Sequence, residues 1–314
     1  MSASAVVTGA SGFIGSRLVA RLLSEGKQVT VLVRPSSLLP AEWRDRVRIV
    51  ACDDFSEDSL RPLSDTPVET VFHLAAYGVK PNHRDAAEML RINVELPATL
   101  VRLCGQWRAR MVMAGTFSEY RRPSTQSPVT EEAPLETHKL YGASKAAGGL
   151  MASAVAHDSG TGFRLLRLFK VYGAGEAPHR LLPALVTGLS RRERVAISAG
   201  TQMLDFVHID DVIEAMLRAD THAREKGGIA TWNVATGCGN SVRDFAETVA
   251  RAMDADMSLI GVGALAMRKD DEPWLVGSPD LLRSELVWQP EIDLEAGVRA
   301  AVAELRPDLI SGRG

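Results

Sequence analysis

The stretch Thr8-Gly9-Ala10-Ser11-Gly12-Phe13-Ile14-Gly15 follows the apolar run Ala5-Val6-Val7 and precedes a helical pattern; no other part of the chain restricts its fold as tightly. Glycine lets a chain turn with φ above zero and lets backbone approach a ligand with no Cβ in between. Three glycines at intervals of three, between a strand and a helix, aim the free N–H groups of the helix at a phosphate or pyrophosphate. The spacing is G-x-x-G-x-x-G rather than the G-x-G-x-x-G of most dinucleotide folds. Taken alone, the motif also allows a plain strand-to-helix turn.

Up to about residue 170, short β-rich apolar runs alternate with helical stretches, as in stacked βαβ units. Strands are expected at 4–8, 28–33, 47–51, 70–74, 111–114 and 164–169. The first crossover helix is expected over 13–24, because Ile14, Leu18 and Leu22 recur at helical spacing and Gly26 follows as a stop. Further helices are expected at 85–104 and 137–157. The second of these contains Gly142, Gly148 and Gly149, which weaken a lone helix but permit close packing against another. After Gly173 the alternation fades, leaving a strand-like run at 195–198, a helix at 212–219 and a strand at 232–235. The expected architecture is α/β: a Rossmann-type doubly wound parallel sheet over 1–173 with returns near 203–238. A smaller, interleaved lobe would come mainly from 174–314, with the tail from Arg306 frayed.

Composition narrows the partners. The chain has 314 residues, 46% of them hydrophobic and 24% charged, with a net charge of −3, which lacks the basic footprint of a nucleic-acid binder. Cys52, Cys104 and Cys238 have no C-x-x-C spacing and read as thiols of a reducing compartment. No run approaches the roughly eighteen apolar residues of a membrane span, and the first strand starts too early for a secretory leader. A cytoplasmic protein is expected. The seven histidines are scattered. His208 with Asp205, Asp210 and Asp211 alone resembles a ligand cluster, and it reads as a turn capping the next helix, so no metal is expected.

Tyr141-Gly142-Ala143-Ser144-Lys145 places a tyrosine and a lysine four apart, on one face of a helix. A phenol titrates near pH 10 and serves as an acid or base at neutral pH only where a cation stabilises its anion. Lys145 stands where it could do so, although a core tyrosine beside a snorkelling lysine has the same spacing. Thr116 ends the strand Val112-Met113-Ala114-Gly115, at the carboxyl edge of the sheet where open α/β folds bind ligands.

The glycine turn, the strand-end threonine and Y-x-x-x-K, in this order, resemble the extended short-chain dehydrogenase/reductase family of nucleotide-sugar epimerases, dehydratases and ketoreductases. The likeness covers almost the whole chain. It includes Cys52-Asp53, Phe72-His73-Leu74-Ala75-Ala76, Asn93, Arg167-Leu168-Phe169-Lys170-Val171-Tyr172-Gly173 and Asp205-Phe206-Val207-His208-Ile209-Asp210-Asp211. The resemblance implies that Gly9, Ser11, Gly12, Phe13, Ile14 and Gly15 line the cofactor pyrophosphate and that Asp53 reaches the adenine. Leu74, Ala75 and Ala76 would pass under the cofactor, and Asn93 belongs to the same cofactor-binding set. Tyr141 would be the catalytic acid/base, Lys145 would lower its pKa and hold the nicotinamide ribose, and Thr116 would hydrogen-bond the reacting oxygen. Lys170 and Arg268 would meet the substrate, Arg268 as a grip on its pyrophosphate; many family members carry Asn in place of Lys170. The second and third helices commonly pair with those of a second subunit, and the small residues Ala146, Ala147, Gly148 and Gly149 permit such a homodimer.

Members that prefer NAD carry an acid at the end of the second strand. This chain has Val33-Arg34 there, followed by Ser36 and Ser37, which favours NADP through its 2′-phosphate. Dehydratases follow the threonine with Asp-Glu, whereas Phe117 and Ser118 stand here and Glu119 comes one place late. The expected activity is therefore NADPH-dependent reduction of a nucleoside-diphosphate 4-keto-6-deoxysugar, closest in look to 4-ketoreductases of the CDP-abequose synthase type. A 4-epimerase with tightly bound cofactor is the alternative; a reductase of a non-nucleotide ketone and a non-catalytic NADP sensor stand further off.

Overall fold

The computed structural model describes residues 4–79, 82–123, 125–267 and 273–306. Its first half runs β1 (Ser4–Thr8), α1 (Phe13–Ser24), β2 (Gln28–Val33), β3 (Val47–Ala51), α2 (Glu57–Leu60), β4 (Thr70–His73), α3 (Ala86–Leu90), α4 (Leu96–Trp107), β5 (Arg110–Thr116), α5 (Leu140–Ser159) and β6 (Phe163–Leu168). The second half runs β7 (Lys170–Tyr172), α6 (Leu181–Ser190), β8 (Val195–Ala196), β9 (Met203–His208), α7 (Ile209–Lys226), β10 (Ile229–Val234), β11 (Gly239–Ser241), α8 (Val242–Ala252), β12 (Ile260–Gly261), β13 (Trp274–Leu275), α9 (Asp280–Leu286) and α10 (Leu294–Leu305).

Seven parallel strands form the central sheet, in the order β10-β6-β5-β4-β1-β2-β3. The chain winds outward from β1 in one direction and from β4 in the other, so the topological switch point lies between them. Neighbouring residues on each strand enter opposite cores, as a period of two requires. Val7, Val31, Phe72, Val112 and Leu166 pack with Leu18 and Leu22 of α1 and Val212 and Met216 of α7. Val6, Leu32, Val71, Met113 and Leu165 pack on the other face with Leu100 of α4 and Ala152 of α5. Burial on both faces explains the near-continuous apolar strands. A third core joins Leu185 of α6, Phe245 of α8 and Val298 of α10 to Phe206 of β9. There β9 pairs with β7, β11 and β13 in a small mixed sheet.

Several boundaries differ from those expected, each for a local reason. The helix expected from 137 begins at Leu140, because the Glu136 carboxylate takes the N–H groups of Thr137, His138 and Lys139 at 2.8, 2.7 and 3.3 Å and holds them in a turn. The helix expected at 85–104 is interrupted by a π-helical turn over Arg91–Glu95 and continues to Trp107. That expected at 212–219 spans Ile209–Lys226: His208 Nδ1 accepts the Asp210 N–H at 3.3 Å, and acids in the first turn with bases in the last suit the helix dipole. The strand expected at 111–114 reaches Thr116, which pairs in register with Leu168. The strands expected at 70–74, 164–169 and 232–235 span Thr70–His73, Phe163–Leu168 and Ile229–Val234, and that at 195–198 shortens to Val195–Ala196. Among the described residues no helix is long and apolar enough to cross a membrane.

Candidate active site

The glycine turn closes onto backbone from two directions. Gly9 has φ +66°, and a Cβ there would stand 2.7 Å from the Leu74 carbonyl carbon and the Ala75 nitrogen. A Cβ on Gly15 would lie 2.8 Å from Ala10 Cα. Any larger residue at these positions would push β1, α1 and the segment after β4 apart. Helix α1 starts behind Gly12 with no side-chain cap and no acid in its first turn, so its N–H groups remain open to an anion. Thr8 locks the switch point: its Oγ1 accepts the Leu74 and Ala75 N–H groups, both at 3.2 Å, and lies 2.9 Å from His73 Nδ1. With its lone pairs occupied, the hydroxyl donates to Nδ1, which leaves the proton of His73 on Nε2. Burial, then the charge of Lys145, lowers that imidazole to about 3, so it stays neutral.

Along the same edge, β2 ends in buried Val33 and exposed Arg34. Among the described residues the Arg34 guanidinium has no hydrogen-bond or ion-pair partner. Asp53 follows β3 and is exposed, its carbonyl accepting from Arg91 Nη1 at 2.9 Å. Asn93 is fully buried in the π turn. Its Oδ1 accepts the Tyr77 N–H at 2.9 Å, and its Nδ2 donates to the Tyr77 carbonyl at 2.8 Å and to Ser144 Oγ at 2.9 Å. Asn93 therefore grips the loop that carries Leu74, Ala75 and Ala76 and fastens it to α5.

Thr116, Tyr141 and Lys145 converge at the end of β5. The Thr116 hydroxyl acts on the Tyr141 phenol, favouring its ionised form, and buried Lys145 donates from Nζ to the Ala114 carbonyl at 2.9 Å. Burial first, and Glu119 second, push the phenol up to about 12, while Arg180 and Thr116 draw it back. Burial lowers Lys145 below the usual lysine range, against the pull of Glu119. Lys145 lies one turn along α5 from Tyr141, and the charge of Arg180 also favours the phenolate.

Glu119 escaped the sequence reading as an organising residue, although Thr116-x-x-Glu119 is a legible capping box. Its Oε1 accepts the Thr116 N–H at 2.9 Å, Thr116 Oγ1 accepts the Ser118 N–H at 3.2 Å, and its Oε2 pairs with buried Arg167 at 2.9 Å. Arg167 in turn donates to Tyr120 Oη at 3.1 Å, and Tyr120 donates to Asn233 at 2.6 Å. This network pins the end of β5 under Tyr141. Glu176 and Arg180 were also missed; they lie in the irregular loop before α6, where no periodicity marks them. Lys170 opens β7 beside them and acts on the Glu176 carboxyl. Arg268 lies outside the described residues. No group of three or more His, Cys, Asp or Glu suited to a metal occurs among the described residues, and His208 acts as the cap of α7.

A model of the NAD dependent epimerase/dehydratase family matches residues 5–235. The chain is 30% identical to the UDP-glucose 4-epimerase of Mycolicibacterium smegmatis, over 96% of this chain and 98% of that one. It is 26% identical to the CDP-abequose synthase of Salmonella typhimurium, over 96% and 97% of the two chains. Among solved structures, MoeE5 in complex with UDP-glucose and NAD matches with a TM-score of 0.83 at 29% identity, over 98% of this chain and 99% of that one.

Proposed function

Because the chain belongs to the NAD-dependent epimerase/dehydratase family, we propose that it is an NADPH-dependent reductase of a nucleoside-diphosphate 4-keto-6-deoxysugar. The end of β2 carries this reading. Val33 is buried where an acid would hold a ribose 2′-hydroxyl, and Arg34 beside it is exposed and unpaired among the described residues. A guanidinium so placed suits a 2′-phosphate, and a reductase exchanges its NADPH at every turnover. The cradle fits the cofactor, since Gly9 and Gly15 leave room only for backbone and the α1 N-terminus is open to a diphosphate.

The residues divide the work accordingly. Gly9, Ser11, Gly12, Phe13, Ile14 and Gly15 hold the pyrophosphate, Arg34 the 2′-phosphate and Asp53 the adenine. Leu74, Ala75 and Ala76 form the floor that Asn93 steadies, and Lys145 meets the nicotinamide ribose. When bound, the nicotinamide supplies a hydride to the C4 carbonyl carbon. The oxygen then needs a proton and a donor bond at one atom: Tyr141 gives the proton from Oη and Thr116 donates from its hydroxyl. A phenol held near 12 is protonated at neutral pH, the state a proton donor requires. Lys170 and Arg268 are the cations assigned to the sugar diphosphate.

Loss of NADPH absorbance with a panel of 4-keto-6-deoxysugars on CDP, dTDP, GDP and UDP tests the proposal; absence of turnover with every member overturns it. A 4-epimerase is the second reading, favoured by the 30% identical UDP-glucose 4-epimerase. It predicts copurifying nicotinamide cofactor and interconversion of sugars without net cofactor consumption. Of the small residues named for a homodimer, Ala146, Gly148 and Gly149 are buried within the subunit and Ala147 is exposed. Gly148 packs on the Asn93 backbone and Gly149 on Leu165, both within the subunit, whereas Ala147, Leu150, Met151 and Ala154 form an exposed apolar stripe along α5 that a second copy would cover.

A further inference from the structure

The loop after β4 meets the Tyr141 ring through backbone alone. Gly78 stands at φ +102°, and a Cβ there would lie 2.8 Å from Tyr141 Cδ2, 3.6 Å from Tyr141 Cβ and 2.9 Å from the terminal methyl of Met89. Positive φ and the missing Cβ together let the chain lie against one flank of the ring. The loop is held from behind. The side-chain amide of Asn93 accepts the Tyr77 N–H at 2.9 Å and donates to the Tyr77 carbonyl at 2.8 Å. The Tyr77 ring also stacks on His83, with centroids 4.4 Å apart and planes within 4° of parallel.

The backbone under Tyr141 is tied as firmly. Gly142 lies on the Ser118 carbonyl and Gly148 on that of Asn93, so close that a Cβ at either would overlap the oxygen. Ser144 Oγ donates to the Tyr141 carbonyl at 2.9 Å and accepts from Asn93 Nδ2 at 2.9 Å. Loop and helix therefore share one anchor, Asn93, seated in the π turn between α3 and α4. With both backbones fixed, the freedom left to Tyr141 is rotation of its side chain, and Gly78 occupies one flank of that rotation.

We propose that Gly78 is a positioning residue for the proton donor: its bare backbone is the wall that sets the plane of the Tyr141 ring and, through it, the place of the phenol oxygen. This role rests on the reading of Tyr141 as the donor. Carbon atoms in contact sit about 3.5–4.0 Å apart, so a methyl group at position 78 would displace the near edge of the ring by about 1 Å. The phenol oxygen moves with the ring, and a misplacement of that size lowers a rate by about 100-fold. Met89 presents only the end of a flexible side chain to the same methyl and can give way.

Gly78→Ala tests the wall. Its kcat should fall about 100-fold while KM for NADPH, and Kd for NADPH by fluorescence, stay within about twofold; general loosening of the fold would not produce that split. Tyrosine labelled with carbon-13 at the ring δ positions gives a readout that needs no substrate. Of the four tyrosines, Tyr141 is identified by the signals lost in Tyr141→Phe. In the wild type a ring walled on one flank turns over slowly and should show a separate signal for each δ carbon. In Gly78→Ala these should shift while the signals of Tyr120 and Tyr172 stay. Gly78→Ala/Met89→Leu withdraws the Met89 methyl and should remain as slow as Gly78→Ala. Recovered turnover in that double variant would place the clash at Met89 and overturn the role, as would a normal kcat or unmoved Tyr141 signals in Gly78→Ala. Absence of wild-type turnover with every 4-keto sugar removes the donor reading and the positioning role with it, even where the ring signals behave as expected. Should Gly78→Ala fail to fold, the wild-type signals decide alone, and one averaged δ line for Tyr141 overturns the wall.

Discussion

The proposed role of Tyr141 as proton donor suits its surroundings, which disfavour the phenolate: burial and Glu119 outweigh Arg180 and Thr116 and push it up to about 12. Replacing it with phenylalanine should lower kcat by about two to four orders of magnitude while NADPH binding, followed by fluorescence, stays nearly intact; preserved turnover would remove the residue from the mechanism. The sign of the pH dependence follows from the donor's state. Reduction requires the protonated phenol, so its intrinsic rate should stay level through neutral pH and fall only in strongly alkaline solution. Oxidation of the alcohol should accelerate over the same rise. Arg34→Ala should raise KM for NADPH about tenfold, the loss of one charge-assisted contact, with KM for NADH unchanged; equal effects on both would return Arg34 to the status of a surface arginine. Glu119→Ala leaves the Arg167 guanidinium buried without its carboxylate. A cost of about 3–5 kcal/mol is expected from such a break, readable as a lower urea midpoint with m unchanged. Tyr141, Lys145 and Thr116 were legible as residue types at fixed spacings; the role of Arg180 was not, because it arises from a loop that only the fold brings to the phenol.

Elements were most legible where a period governed them. The apolar spacing of Ile14, Leu18 and Leu22 and the stop at Gly26 placed α1 at Phe13–Ser24, and β1, β2 and β3 coincide with their apolar runs. Boundaries set by side-chain capping were less visible: Glu136 delays α5, and the Thr116–Glu119 box fixes the turn that ends β5. The small residues of α5 show the same limit. Composition marked them as a packing face, but not which partner they pack on, and Gly148 and Gly149 turned out to face this subunit's own Asn93 and Leu165. A dimer formed through α5 would therefore use the outward residues, of which Leu150 is 60% and Met151 50% exposed. Leu150→Asp should convert a sedimenting dimer into a monomer without loss of helicity. Retention of the dimer, or a monomeric wild type, would reject α5 as the seam.

At the scale of the whole molecule, the sheet order places β1 and β4 side by side with their carboxyl ends together, so cofactor binding ties α1, β1, β2 and β4 into one unit. A ligand that binds only the folded state at 100 times its Kd adds about 2.7 kcal/mol, and for a chain of this size each kcal/mol moves the midpoint by roughly 2–4 °C. NADPH should thus raise Tm by several degrees and more than NADH at equal concentration; a larger shift with NADH would assign the cofactor site to NAD. By itself the sequence determined the alternation of strand and helix, the glycine turn and the three residue types proposed for the reaction, because period, φ above zero and side-chain chemistry are local properties of the chain. Tertiary structure alone decided that Asn93 steadies a loop, that Glu119 pairs with Arg167, and that the loop before α6 packs on Phe13 at the start of α1. Those outcomes depend on burial and on contacts between residues distant in the chain, and such energies exist only once the sheet has brought its carboxyl ends to one edge.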